Sequence, residues 1–216
     1  MRSFTIIGLS SFGTFLATEL TRQGVDVLAV DIDEEKIERI KHLVQKAIIA
    51  DATDPQALAS LALEEMDGVV VSLGTIDSSV LTTLHLKELK IKNIISKALS
   101  EDHGRILERV GASQVIFPEK DEALRIARTL SHENILDSVP LAKGYSIVEL
   151  VPPSSFLRKS LGELDLRRRY GVQIISVKEM VPENIVLVPT ADYVVKDSDV
   201  LVVMGRDDDL SKLPQQ

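Results

Sequence analysis

The stretch FTIIGLSSFGTFLATEL, residues 4–20, decides the fold. A short Ile-rich run at 4–7 leads into Gly8, and apolar residues then recur at helical spacing, at Phe12, Phe15, Leu16 and Leu20. A strand passing through a glycine turn into a helix, with an acid roughly 20 positions on, is the fingerprint of a dinucleotide-binding βαβ unit. Asp31 supplies that acid, 18 residues after Gly13 (31 − 13). Gly8 permits the tight turn, Gly13 lets helix and strand approach closely, and the first helical N–H groups suit a phosphate. Ser10 stands where the middle glycine normally lets the backbone approach a pyrophosphate, but serine is compact and carries a hydroxyl donor. The turn therefore reads as a nucleotide site, and the competing reading is a pair of packing glycines in an unliganded βαβ unit.

Further along, Ile/Val-rich runs at 25–30, 47–49, 69–73, 93–97 and 114–117 lack polar alternation, as strands buried on both faces of a parallel sheet do. Amphipathic helical segments lie between them, including Ile37, Ile40 and Val44, and Asp54-Pro55 reads as a helix N-cap followed by proline. The expected fold is α/β, a Rossmann-like doubly wound parallel sheet with its ligand site at the carboxyl ends of the strands. A helix is expected over 121–139, and Pro140 to Gly144 carries a proline and a glycine that mark a domain boundary. The expected domains are 1–139 for the nucleotide-binding unit and 140–216 for a small α+β lobe of one helix and several short strands.

Composition narrows the function classes. The chain has 216 residues, 44% hydrophobic and 27% charged, in the range of globular proteins. It has no cysteine, which removes disulfides, thiolate metal sites and cysteine nucleophiles. A net charge of -8 argues against nucleic acid or anionic lipid as a partner. No apolar run is long enough to cross a bilayer and no signal-peptide pattern is present, so a cytoplasmic protein without membrane insertion is expected. The four histidines, His42, His85, His103 and His132, have no carboxylate or serine at telling spacing, and each reads as solvated or capping. The basic run Arg167 to Tyr170 suits a helix C-terminus as well as an anion. A regulatory binding protein is favoured over an enzyme, with a small NAD(P)-dependent oxidoreductase and a nucleotide-free structural relative as the alternatives.

The run IIGLSSFGTFLATELTRQGVDVLAVDIDEEKI resembles the nucleotide-binding half of RCK (KTN) proteins, the cytosolic regulatory subunits of Ktr and Trk potassium-transport systems. ADATD at 50–54, TTLHLKELKIKNIISKA, LERVGASQVIFPEKDEALRIA and YSIVELVPPSSFLRKSLGELDLRRRYGVQIISVK are similar to later parts of the family, closest to the KtrA type. The resemblance implies a homodimer assembling into an octameric gating ring. It also implies docking on the cytosolic face of a membrane potassium-translocating subunit of KtrB or TrkH type, with control by ATP and ADP. NAD and AMP are alternative occupants of the same turn.

Carried over by position, Gly8, Ser10, Ser11, Phe12 and Gly13 would form the phosphate turn. Asp31 would accept from both ribose hydroxyls, with Asp33 close by, and Asp51, Ala52 and Thr53 would line the adenine pocket. Gly74 would lie near ribose and phosphates. Lys97 would balance phosphate charge, the competing reading being a strand-end lysine exposed to water. Glu119 matches the glutamate that holds a divalent cation at the family's dimer interface. The C-terminal (TrkA-C) lobe of some KtrA-type proteins binds cyclic di-AMP. Leu161, Asp165, Arg167, Ile174 and Ile175 fit that pattern, while Gly162 replaces an aliphatic residue and Gln173 replaces an asparagine. A second departure is Ser11, where KtrA-type proteins carry an arginine that reaches the last phosphate of ATP from the neighbouring protomer.

Overall fold

The computed structural model describes residues 2–214. It divides into two compact units, one ending at Pro118 and the other starting at Glu119. In chain order the first contains β1 (Ser3–Ile7), α1 (Ser11–Arg22), β2 (Asp26–Asp31), α2 (Glu34–Ile40), β3 (Lys46–Ile49), α3 (Pro55–Ala59), β4 (Gly68–Val71), α4 (Ile76–Glu88), β5 (Ile94–Lys97), α5 (Glu101–Val110) and β6 (Gln114–Ile116). All six expected strands form, each end within two residues of its expected place.

The sheet is parallel in the order β3-β2-β1-β4-β5-β6. Neighbouring residues feed opposite faces. Ile7, Leu28, Val30 and Val69 pack into one apolar layer, and Ile6, Val27, Ala29 and Val70 into the other. That two-sided burial is why the strands read as unbroken apolar runs. The strand order reverses between β1 and β4, which places a topological switch point where the Gly8 turn leaves the sheet.

The second unit carries α6 (Pro118–Ser131), β7 (Ile135–Ala142), β8 (Tyr145–Leu150), α7 (Leu161–Leu164), α8 (Leu166–Tyr170), β9 (Gln173–Met180), β10 (Glu183–Leu187), β11 (Asp199–Arg206) and α9 (Asp207–Leu210). Its five strands are antiparallel in the order β10-β9-β11-β8-β7. Leu150, Leu164, Val177, Leu201 and Val203 form the centre of its core. No helix among the described residues is long and apolar enough to cross a membrane.

Two expectations change here. The helix expected over 121–139 stops at Ser131, and β7 begins at Ile135. Pro140 and Gly144 are therefore not linker breakers. Pro140 sits in β7, an edge strand where its missing N–H costs little, and Gly144 takes φ +77° in the β7–β8 turn. The expected boundary after residue 139 thus falls inside a strand, whereas the compact units divide at Pro118. The one helix expected in the 140–216 lobe is instead two short ones, α7 and α8, interrupted where Asp165 adopts φ 39°, with α9 as a further short helix.

Candidate functional site

The glycine turn is built as the sequence requires. Gly8 has φ +91°, and a Cβ there would lie 2.7 Å from the Ser72 carbonyl group at the end of β4. At Gly13 a Cβ would come within 2.1 Å of the Gly8 carbonyl oxygen, so only glycine lets α1 start this close to β1. Ser10 is the α1 N-cap, with φ -63° and ψ 173°, ordinary extended geometry that needs no glycine. Its hydroxyl lies 2.8 Å from the Ser72 hydroxyl, and its oxygen accepts the Gly13 N–H at 3.4 Å. Ser72 is fully buried, so the serine side chain turns into the protein. The N–H groups of Ser11 and Phe12 belong to the first helical turn, which has no intrahelical acceptor for them.

Asp31, 6% exposed at the end of β2, is held by three donors. Leu9 N–H reaches one carboxylate oxygen at 2.6 Å, Asp33 N–H the other at 2.9 Å, and the Lys36 ammonium lies at 3.3 Å. Lys36 also reaches the second oxygen at 3.5 Å, so the roughly four acceptor positions of the carboxylate are all engaged. Accepting both ribose hydroxyls requires Lys36 to swing aside, which its half-exposed flexible chain permits. Asp33 is committed to capping α2, accepting from Glu35 and Lys36 N–H groups.

Beside Asp31 a cavity of about 210 Å³ is lined by Ile7, Ile32, Asp51, Ala52, Thr53 and Ser78, among others. Asp51 accepts both the Thr53 hydroxyl at 2.7 Å and the Thr53 N–H at 2.9 Å, and these two bonds hold its carboxyl below the usual range. Asp31 and the 51–53 segment therefore come together as expected, while the phosphate-turn residues do not line this cavity. Gly74 lies just before α4, with open space where a Cβ would be. Lys97 closes β5 and is 5% exposed, which overturns the water-exposed reading.

Several contributors escape sequence reasoning. Ser72, Lys36, Ser78 and Thr82 carry no motif, and Ile32 showed only as an apolar residue between two acids. His103 also differs from expectation. It is 1% exposed rather than solvated, with Nε2 2.9 Å from the Ser79 hydroxyl, while Nδ1 accepts the Leu99 N–H at 3.1 Å. That acceptor role fixes the neutral ring with the proton on Nε2. Burial pushes its pKa down. His42 is exposed, and His132 Nδ1 lies 3.2 Å from the Arg128 carbonyl, a helix-capping position.

In the second unit, a cavity of about 220 Å³ is lined by Leu161, Asp165, Arg167, Gln173 and Ile174, five of the six residues expected together. Ile175 is not among its lining. Glu119 is exposed in the first turn of α6, and no cluster of three or more metal-capable side chains exists among the described residues.

Comparison with known proteins follows the same division. Residues 4–118 match the TrkA-N domain and residues 145–214 the TrkA-C domain. The chain is 40% identical over 216 residues to the Ktr system potassium uptake protein A of Bacillus subtilis, covering 100% of this chain and 96% of the relative. The chain belongs to the RCK (KTN) family of Ktr/Trk potassium-transport regulatory proteins. The solved GsuK RCK domain has the same fold, at a TM-score of 0.66 and 23% identity, covering 99% of this RCK chain and 47% of that one. The NAD(P)-binding domain of an exopolyphosphatase-related protein from Archaeoglobus fulgidus is 26% identical with a TM-score of 0.54, covering 61% of this chain and 98% of that one.

Proposed function

We propose that this RCK protein is a cytosolic gating-ring subunit of a potassium-uptake system and binds an adenine nucleotide in its first unit. The observation that carries the reading is the Gly8–Gly13 turn beside Asp31 and the Asp51–Thr53 cavity, at the switch point of the sheet. The cavity, at about 210 Å³, is smaller than a whole-ligand pocket of about 300–1,000 Å³. That size suits the base and ribose edge, with phosphates outside it along the turn. Ser10 does not obstruct them, since its side chain points inward. An NAD(P)-binding relative of this fold unit supports a nucleotide of this class.

The nucleotide regulates by binding two ring states with different affinity, and this chain performs no chemistry on it. Assembly is supported by α6, none of whose side chains is buried, with Leu124 53% and Leu130 81% exposed. Pairing that helix with a second copy removes this apolar surface from water and leads on to an octameric ring docked on a membrane potassium-translocating subunit. A divalent cation at Glu119 would need the same residue of a second copy, because no group of three or more metal-capable side chains forms among the described residues of one chain.

Ser11 is exposed and short where the resembled proteins carry an arginine, so the site is expected to distinguish ATP from ADP weakly. Calorimetric titration with ATP, ADP, AMP and NAD tests the reading. Binding of ATP and ADP within about tenfold supports it, a larger ATP preference removes the weak discrimination, and no binding at all removes the nucleotide site. Reduction of nicotinamide with a metabolite panel would instead favour the oxidoreductase alternative.

A second ligand is supported by the cavity in the other unit, where Arg167 offers a cation and Leu161 and Ile174 an apolar wall. Cyclic di-AMP is proposed there, shared between two copies. Loss of binding in Arg167→Ala with nucleotide binding intact supports it, and no binding by the unmodified protein removes it.

A further inference from the structure

Helix α4 is docked in an unusual way. The side that faces the protein carries Ser79, Thr82, Thr83 and Leu86, all fully buried, and three of these four are hydroxyl residues. Each hydroxyl has a different destination. Ser79 meets His103 of α5 at 2.9 Å, Thr83 meets Ser96 of β5 at 3.0 Å, and Thr82 donates to the Ala52 carbonyl at 3.0 Å. Apolar contacts tolerate sliding, whereas hydrogen bonds in a dry interior are directional and costly to leave unmade. The helix is thereby fixed in rotation and along its axis.

We infer that Thr82 is a positioning residue of the nucleotide site, holding the adenine-side wall through the Ala52 carbonyl. The inference rests on the nucleotide reading above. Ala52 is 6% exposed and lines the cavity beside Asp31. On one side the segment is tied to the sheet, where the Ala50 N–H donates to the Asp31 carbonyl at 3.0 Å, and the Asp51 side chain binds only within the loop, to Thr53. The Thr82 bond reaches across 30 residues of chain and supplies the second long-range tie, at Ala52 itself. One turn before Thr82 the same helix carries Ser78, which lines the cavity, and its N-cap is Thr75, next to Gly74. One rigid element therefore sets both the base-side wall and the loop beside the ribose and phosphates.

Replacing Thr82 by valine keeps shape and volume but leaves the Ala52 carbonyl without its donor. The segment then relaxes toward water, and a ligand has to reorder it on binding. ADP and ATP affinities of the full chain are measured by calorimetry at a temperature well below melting, for Thr82→Val, Thr82→Ser and Thr83→Val. The expected result is roughly a tenfold loss for Thr82→Val and less than about twofold for Thr82→Ser, which keeps the donor. Thr83→Val, equally buried but bonded to Ser96, is expected to lower the melting temperature without changing affinity. A folded Thr82→Val protein that binds as tightly as the unmodified chain overturns the inference.

Should Thr82→Val not fold, Thr82→Ser is compared with Thr82→Cys, which differ chiefly in donor strength. Weaker binding by the cysteine variant supports the role, and equal affinities overturn it. If the unmodified protein binds no adenine nucleotide, the nucleotide reading falls and this inference with it, an outcome distinct from normal binding that Thr82 does not affect.

Discussion

Replacing Gly13 by alanine sets two known effects against each other. Gly13 lies inside α1, and an alanine in a helix interior is worth about 0.5–1 kcal/mol over glycine, so local propensity alone predicts a gain. Packing predicts a loss. The added Cβ would lie 2.1 Å from the Gly8 carbonyl oxygen and 3.2 Å from its carbon. Both contacts are backbone, and neither can rotate away. The start of α1 must move off β1 by about 1 Å, and overpacking of this kind costs about 1–3 kcal/mol, at the upper end when nothing can give.

Subtracting the propensity gain leaves a net loss of roughly 2 kcal/mol, which for a unit of this size lowers its melting temperature by roughly 6–10 °C. The shift also carries the Ser11 and Phe12 N–H groups away from the phosphates, so nucleotide affinity falls by more than about tenfold. The control is Gly24→Ala. Gly24 has φ +80° with no atom near its missing Cβ, so alanine there costs about 1 kcal/mol of backbone strain and leaves binding alone. Thermal unfolding with and without ADP reads both. A Gly13→Ala protein that melts at or above the unmodified temperature and still binds would refute the close approach of α1 and β1.

Two other outcomes follow from the same geometry. His103 is buried with its pKa pushed down, so the folded state holds it neutral while the unfolded chain protonates it below about 6.5. Its contribution to stability is present above that pH and is lost as pH falls from there toward the lowered folded value; His103→Gln is expected to flatten unfolding free energy measured from pH 7 to 5, and an unchanged slope would count against the neutral ring. Ser11 is exposed at the start of α1, so Ser11→Arg adds a cation without a packing cost. In the assembled protein it should raise the ATP-to-ADP affinity ratio by about fivefold or more through a charge-assisted bond to phosphate, and an unchanged ratio would show that the terminal phosphate lies elsewhere.

How much of this was legible in the sequence depends on how far each interaction reaches. The parallel strands could be read because burial on both faces of the central ones removes most polar residues, as in β4, where all four residues are buried, while the half-exposed edge strands β3 and β6 still read as short apolar runs. Gly8, Gly13 and Asp31 could be read because their spacing is dictated by one turn of backbone. The change from α6 to β7 could not. Leu130, Ile135 and Leu136 fit helical spacing as well as a strand, and only the pairing of Ile135 with Leu150 settles which applies. The partners of the site were equally hidden, since Ser10 meets Ser72 across 62 residues and Thr82 meets Ala52 across 30. A hydroxyl has no periodicity to betray such a partner.

The two serines of the opening turn illustrate the difference between a change the fold absorbs and one it does not. At position 10 the backbone needs no glycine, and a buried hydroxyl opposite takes up the serine's polar atom, so the substitution is compensated inside the protein. A glycine there would leave Ser72 without that partner, and the serine is best understood as part of how α1 is anchored. Position 11 has no such compensation, because its side chain faces solvent. A larger polar side chain there meets no packed neighbour, and under the proposed reading it would act on a bound phosphate. Packing therefore constrains residue 11 little, and under the proposed function the effect of a change there is read in ligand preference rather than in stability.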